Sequence, residues 1–495
     1  MTAIGSVDRH TPLAARSYAW FLGALIRLGV LIVADVLAFA TGYFLFRFGE
    51  QMPEIVLGPI RAPNSLPPID IYVIMGAVFV AGRYIFGDYG RRQLFWDGAR
   101  ATTSTLALVA VPDFLLVALL GKSTLYVPLA ASWLFLVPAI PIYRQFARWL
   151  MSRCGIWQIP TALIGTGRNA RDAYSGLRNT LSLGFDVRYL VVGKGKVSIP
   201  SMFSGLQLVQ SAGSESVSES LLELGCRQAL VAAEDAQGAE TGDVIQRLIG
   251  ANINVAVIPF LRGLPLFGLS TNYLFGKDIL LMQLRNNLAR VPSRAAKRIV
   301  DLVGPVLLLV LFLPFLLAIM LAIKLDDGGP IFFSQPRIGR GGRNFRCIKF
   351  RTMATDAKEK LEQWREENPA LYAEYMRTFK LRDDPRVTKI GKFLRRTSLD
   401  EIPQLLNVLK GEMSLVGPRP VVEQELMQFY GPAAELYKRV RPGLTGLWQI
   451  SGRSDTTYSD RVSYDEWYIL NWSLWYDFVI LIQTAWIVLS GKGAF

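Results

Sequence analysis

The sequence predicts a three-part membrane protein. A four-helix transmembrane bundle occupies residues 1–150, a Rossmann-like α/β domain 151–283, and an α+β domain 284–495 that a re-entrant helix near 299–323 holds to one bilayer face. Three observations carry that prediction. Four apolar runs, at about 18–46, 70–87, 101–120 and 124–143, each approach the ~20 residues a spanning helix needs. From about 158 to 280, buried-strand patterns alternate with helical ones. A fifth apolar run then appears with positive charge on both sides, which resists translocation of either end.

Composition agrees with a membrane-attached chain that also carries water-soluble parts. Hydrophobic residues make up 51% of the 495, and the mean hydropathy is +0.29. The first apolar run follows a short polar tail without a small-residue cleavage site, so it reads as an anchor rather than a signal peptide. Charge orients the bundle. Arg9 and Arg16 precede the first run, Arg83, Arg91, Arg92 and Arg100 surround the second loop, and Arg144, Arg148 and Arg153 follow the fourth run. The first loop is balanced and the third has only Lys122, so both ends are expected in the cytoplasm, with everything beyond about residue 150 cytosolic. The net charge of +14 by itself fits nucleic acid, anionic lipid or a phosphorylated substrate, and it is the motifs below that lead to the expectation of no nucleic-acid partner. Cys154, Cys226 and Cys347 lie far apart without metal-ligand spacing, arguing against a zinc site or a disulfide framework. His10, in the N-terminal tail, is the only histidine, so any catalysis falls to carboxylate, hydroxyl, Lys or Arg.

The middle segment opens with "IPTALIGTGRNARDAYSGL", a strand, a glycine-rich turn and a helix. "FDVRYLVVG", "QALVAAE" and "INVAVIPF" continue as buried strands, with helices near 215–225 and 241–251, as in a parallel α/β sheet. Gly165, Gly167 and Ala170 match a dinucleotide-binding turn. The ribose-binding acid expected after the second strand is missing, and Lys194 and Lys196 stand there instead, so a structural or regulatory role is favoured over nucleotide binding. In the fifth apolar run, Pro305 and Pro314 each remove a helical hydrogen bond and can bend the segment. With arginines and lysines on both flanks, a hairpin that enters and leaves on the cytosolic face satisfies both features.

The chemistry concentrates after that run. "SQPRIGRGGRNFRCIKFRTM" spaces its arginines so that they can meet anionic headgroups or grip a phosphate by paired donors. In "RRTSLDEIPQLLNVLKGEMSLVGPRP", Pro403 is tolerable only in a first helical turn, which predicts a helix start near 399–400. Ser398 and Glu401 match the capping-box spacing. The same placement would keep Asp400 ionised at a helix N-terminus beside a bound phosphate, where a carboxylate can act as nucleophile. Spacing alone leaves cap and chemistry both open. "SLVGPRP" sets Arg419 in a rigid turn, and "RPGLTGLWQISGR" adds Arg441 and Arg453 around another, each either a phosphate contact or a structural turn.

At this point "KRIVDL", "IKFRTM", "SLDEIPQLLNVLKGEMSLVGPRP" and "RPGLTGLWQISGR" resemble the signatures of the bacterial polyprenol-phosphate hexose-1-phosphate transferases, the monotopic phosphoglycosyl transferases. The resemblance is close over about 290–495, and the order of parts is similar to that of the large-form members. It implies a monotopic catalytic domain in the bacterial inner membrane, facing the cytosol, in a homodimer. Asp400 would attack the sugar-linked phosphate of a UDP-sugar, galactose or glucose, and release UMP. The phosphosugar–aspartate would then pass to undecaprenyl phosphate, with Mg²⁺ at Asp400 and support from Glu401. Lys349, Arg351, Arg419, Arg441 and Arg453 match the family's basic positions around phosphates or uridine, and Asp465 matches a further family carboxylate. Smaller members bend the re-entrant helix at a Ser-Pro pair. Here Leu313 precedes Pro314, so the bend rests on the proline alone.

Two other classes compete. A membrane-anchored NAD-dependent sugar-nucleotide dehydratase or epimerase would need a ribose-binding acid and a Tyr-x-x-x-Lys pair after the Gly165 turn, and neither is present. A non-enzymatic polysaccharide-export protein would have no need of Asp400 and Glu401 beside Arg419.

Overall fold

The computed structural model describes residues 13–57, 68–119, 126–178, 180–192, 199–210, 214–233, 238–261, 263–267, 269–273, 280–284, 287–367, 384–451 and 457–490. The chain divides into two compact units, Met1–Phe260 and Leu261–Phe495.

In the first unit, α1 (Leu13–Leu57), α2 (Pro68–Ile85), α3 (Phe95–Leu119) and α4 (Tyr126–Arg153) share one apolar core that includes Phe39, Phe79, Leu106, Leu136 and Ile140. Within them Leu22–Phe48, Phe95–Leu119 and Tyr126–Arg153 are long and apolar enough to cross a membrane, and the apolar helix Tyr72–Ile85 is shorter. Leu108, Leu119 and Leu134 point outward, as lipid-facing side chains do. Charge is turned inward instead: buried Asp35 pairs with Arg144 and accepts the Tyr89 hydroxyl at 2.6 Å.

Strands β1 (Ile159–Ile164), β2 (Phe185–Val192), β3 (Gln207–Gln210), β4 (Gln228–Ala232) and β5 (Asn254–Ile258) form a parallel sheet ordered 3-2-1-4-5. Helices α6 (Ser214–Glu223) and α7 (Gly238–Gly250) alternate with the later strands, the parallel α/β pattern anticipated. The sequence reading overlooked β3, of whose four residues only Val209 is buried. Gly165 takes φ +117° at the turn after β1, and a Cβ there would stand 3.1 Å from the Ala232 carbonyl oxygen. Asn169 opens α5 (Arg168–Arg178) and donates to the Ala233 and Ile258 carbonyls at 3.0 and 2.8 Å, fixing the turn to the ends of β4 and β5. Lys194 and Lys196 lie outside the described residues.

The division at Phe260 differs from the expected boundary at 283/284. The antiparallel pair β6 (Ser270–Tyr273) and β7 (Leu280–Gln283) belongs with the second unit. Asn471 ties the preceding segment to the same unit: its side-chain oxygen accepts from the backbone N–H of Leu266 at 2.7 Å and of Phe267 at 3.1 Å.

The fifth apolar run is two helices, α8 (Val291–Leu311) and α9 (Leu313–Asp327), bent by 68° at Phe312. Pro314 stands in the first turn of α9, where its missing N–H leaves no partner unpaired. Polar side chains pin the start of α8 to the following domain. Lys297 donates to Asp477 at 2.6 Å and to the Val416 carbonyl at 3.0 Å. Asp301 accepts from the Ser414 hydroxyl and the Leu415 N–H, both at 2.9 Å. Beneath these lies the core of Phe345, Cys347, Leu405, Val408, Met413 and Tyr468.

Candidate active site

The site is assembled where a hairpin meets a break between two helices. Strands β8 (Phe332–Ile338) and β9 (Asn344–Phe350) pair antiparallel. On β9 the alternating positions Phe345 and Cys347 face the core, and Lys349 continues the same row. The row therefore ends in a cation where it reaches Asp400 and Glu401. Lys349 Nζ donates to Glu401 Oε1 at 2.6 Å and lies 3.9 Å from Asp400 Oδ2. Of the three side chains Asp400 is the least exposed, at 14%.

Asp400 and Glu401 occupy a 3-10 turn, Leu399–Glu401, between the Lys389–Thr397 helix and the Gln404–Lys410 helix. The expected capping box is not made. Ser398 has φ +57° as the residue that closes the preceding helix just after Thr397, its side chain caps nothing, and the next α-helix begins at Gln404 rather than 399–400. Glu401 is thus turned to Lys349 instead of to a backbone N–H.

Both helices are fixed to β9 by specific contacts. Thr388 caps the first through the Gly391 N–H at 3.0 Å. Gly391 admits the strand's continuation so closely that a Cβ would lie 2.0 Å from the Thr352 carbonyl oxygen. Arg395 donates from Nε to the Thr352 hydroxyl at 3.0 Å, within electrostatic reach of Asp400. In the second helix, buried Asn407 acts as a substitute strand neighbour. It accepts from the Ile348 N–H at 3.1 Å and donates to the Arg346 carbonyl at 2.8 Å and to Glu412 at 2.6 Å. Asn407 and Arg395 were missed in the sequence. The available signal was a polar Asn inside "QLLNVLKG", since a polar residue within an apolar run is the informative exception.

Burial pushes the Asp400 carboxyl up to about 6, with Lys349 acting against it, Glu401 adding to it and Arg395 again opposing. Burial disfavours the Lys349 ammonium, but Glu401 and then Asp400 outweigh it and hold its pKa above the ordinary value. Glu401 is therefore the direct ion-pair partner. The Asp400 carboxylate has the same cation nearby without being bound to it.

Four of the remaining expected residues make contacts of their own. Arg351 pairs with Asp327 at the end of α9. Arg441 donates to the Gly411 carbonyl at 2.7 Å, beside Arg298, which holds the Val408 and Leu409 carbonyls. Two guanidiniums thus close the C-terminal end of the Gln404–Lys410 helix, where the dipole favours cations. Arg419 lies over the Trp448 ring at 5.2 Å, and Arg461 lies over the same ring at 5.0 Å. Asp465 is buried, accepts the Tyr430 hydroxyl at 2.8 Å and is pushed up to about 7, chiefly by burial. Arg453 lies outside the described residues. Among the described residues no group of three or more His, Cys, Asp or Glu side chains could hold a metal unaided.

Known proteins share this arrangement of sequence. The family model described as bacterial sugar transferase matches residues 292–491, which include the dyad, Lys349 and Asn407. The UDP-galactose-lipid carrier transferase of Erwinia amylovora is 36% identical over 479 residues, covering 96% of this chain and 98% of that protein. The undecaprenyl-phosphate galactose phosphotransferase of Salmonella typhimurium is 35% identical over 411 residues, 82% of this chain and 84% of that protein. The exopolysaccharide production protein ExoY of Rhizobium meliloti is 51% identical over 200 residues, only 40% of this chain but 88% of that protein. With a relative aligned along almost its entire length, the chain belongs to the bacterial sugar transferases, the polyprenol-phosphate hexose-1-phosphate transferase family that its motifs resemble.

Proposed function

We propose that the protein transfers hexose 1-phosphate from a UDP-sugar to undecaprenyl phosphate, the first membrane step of a surface-polysaccharide pathway. Galactose is the leading hexose, because two relatives spanning most of the chain are named for it. Glucose is the alternative. The observation that carries the proposal is the partly buried Asp400 carboxylate, 3.9 Å from Lys349 while Glu401 takes that lysine's direct bond at 2.6 Å.

In the first step an Asp400 oxygen bonds to the sugar-linked phosphorus, and the bond from that phosphorus to the bridging oxygen breaks. UMP leaves with the electron pair. In the second step a phosphate oxygen of undecaprenyl phosphate attacks the same phosphorus and the aspartyl oxygen departs, regenerating the carboxylate. Two displacements let a soluble donor and a lipid acceptor use one nucleophile in turn. With its pKa at about 6, Asp400 is mostly ionised at neutral pH. Lys349 and Arg395 both act to keep that carboxyl ionised.

Two adjacent carboxylates suit Mg²⁺, which is commonly bound by one or two carboxylates together with substrate phosphates rather than by an all-protein cage. Asp400, with Glu401 beside it, would hold the ion, which supplies neutralisation of phosphate charge. The proposal also reads the N-terminal helices as a four-helix transmembrane bundle and the α8–α9 pair as a re-entrant hairpin. A homodimer in the inner membrane, with its catalytic part on the cytosolic face, completes it. The flanking positive charge and the 68° bend support the hairpin.

Asp400→Asn keeps the size and polarity but not the anion, and should abolish UMP release from a panel of UDP-hexoses with undecaprenyl phosphate. Retention of more than about a tenth of the rate, under ~1.4 kcal/mol of barrier, overturns the assignment.

A further inference from the structure

Arginine accumulates at the end of the helix bundle where α2 and α4 finish. Arg83 stands two residues before the end of α2, and Arg144 and Arg148 lie one helical turn apart near the end of α4. All three are buried, at 1%, 5% and 7% exposure, and each lies within electrostatic reach of the other two. Two carboxylates face them. Asp35 is taken up by Arg144, whose Nε donates at 2.6 Å, and by the Tyr89 hydroxyl, also at 2.6 Å. Asp88 Oδ2 lies 3.4 Å from Arg83 Nε. Among the described residues Arg148 joins no ion pair. Three guanidiniums thus meet two carboxylates, and the excess positive charge is buried.

Two of these arginines are held by their faces rather than their edges. Arg83 lies over the Phe79 ring at 5.7 Å, and Arg148 over the Trp157 ring at 5.4 Å. Arg92 lies over the same Trp157 ring at 4.6 Å and donates to the Leu183 and Trp157 carbonyls at 2.6 and 2.9 Å. The loop after α2 is thereby tied to the chain beyond α4. Stacking fixes a guanidinium plane while leaving its N–H edge available to oxygen. Nε and Nη1 of Arg83 and Nε of Arg148 are buried without a hydrogen-bond acceptor. For charged groups that arrangement is costly, and an anion accepting from both arginines would relieve it.

We infer that Arg83 and Arg148 form a phosphate-binding site at this end of the bundle. Guanidinium edges bind phosphate oxygens by paired donors, and the phosphate charge offsets the buried excess. Two sources supply that chemistry. The headgroup of an anionic phospholipid is the nearer one. Tyr84, Phe86, Phe146 and Trp149 flank these arginines in the chain and are exposed, as aromatic side chains at headgroup depth are. A soluble phosphate is the other source. The inference does not depend on the transfer chemistry at Asp400.

The test follows amide hydrogen exchange of residues 86–94, the loop after Arg83, in the full chain in detergent. Dioleoylphosphatidylglycerol should slow it at least threefold relative to dioleoylglycerol, which has the same chains and no phosphate. Inorganic phosphate, set against chloride at equal ionic strength, tests the soluble source. Slowing by either phosphate supports the site and identifies its source. The slowing should vanish in Arg83→Gln/Arg148→Gln and persist in Arg91→Gln, which removes an exposed arginine of the same loop. If neither phosphate slows exchange beyond its control, the inference is overturned, as it is by slowing that survives in the double variant. If the double variant does not fold, the result with the unaltered protein decides alone.

Discussion

Replacing Lys349 with methionine keeps the chain length and removes the cation nearest the nucleophile. At the observed 3.9 Å between Lys349 Nζ and Asp400 Oδ2, two unit charges interact by ~1 kcal/mol in water and ~4 kcal/mol at an effective dielectric of about 20. At ~1.4 kcal/mol per pKa unit that range is about 0.8 to 3 units. Lys349 is 33% exposed and Glu401 36%, so solvent screening places the effect near the lower end, at about one unit. Loss of the lysine also leaves Glu401 without its partner, and that second negative charge pushes Asp400 the same way. The carboxyl should therefore move from about 6 to ~7 or above.

The active form is the carboxylate, so activity is full above this pKa and is lost as pH falls through it. The measurement is kcat/KM for UMP release across the neutral range. The variant should trail the parent by roughly fivefold near pH 6 and approach it near pH 8, as expected from a one-unit shift in a single titration. A deficit that does not vary with pH would mean that Lys349 grips a substrate phosphate rather than tuning Asp400. An acid limb that stays at about 6 would mean that Asp400 is not the titrating nucleophile.

Three further outcomes are expected. Asn407→Ala removes hydrogen bonds to Ile348, Arg346 and Glu412 and leaves part-buried backbone groups without this partner, at about 1 kcal/mol each; its temperature of thermal inactivation should fall clearly, and an unchanged value refutes the strand-substitute role. Cysteines placed at Ser293 and Pro330, in a chain lacking Cys154, should both label from the cytosolic side, and periplasmic labelling at position 330 removes the hairpin. Deleting residues 1–260 should leave partial UMP release, since the dyad and its supports all lie in the second unit and a relative matched over 200 residues has 88% of its own length in that match. Complete inactivity of a folded truncation would make the upstream unit part of the site.

Hydrophobic patterning made the membrane helices and the alternating strands readable, because long apolar runs and buried parallel strands each leave a continuous signal. The shorter strand β3, with one buried residue, leaves almost none. Residues 261–283 fall in the second unit, and Asn471 binds the backbone of Leu266 and Phe267 there, a contact between residues over 200 positions apart that no local pattern announces. Arg441 has the same residue type and glycine-rich setting as a phosphate contact. Its bond to the Gly411 carbonyl adds a helix-end contact that no local pattern announces. Sequence order likewise gave Lys349 and the dyad as separate motifs, and it took the β8–β9 pairing and Asn407 to bring them together.

The failed capping box changes the electrostatic account of the nucleophile. A residue that ends one helix in the left-handed region cannot also present the extended backbone of an N-cap, and Ser398, at φ +57°, is committed to the first role. Asp400 consequently sits between the C-terminal end of one helix and the start of the next. The carbonyl-rich end before it disfavours a carboxylate, and the N–H-rich end after it favours one, so the two dipole contributions oppose each other. The second helix is also only Gln404–Lys410 and begins three residues beyond Glu401, which weakens the favourable end further. Ionisation of Asp400 then draws first on the side-chain cations Lys349 and Arg395, with a smaller contribution from a backbone hydrogen bond. Glu401 occupies the lysine's closest bond, so the same cation can stabilise Asp400 without tying up the oxygen that must reach phosphorus.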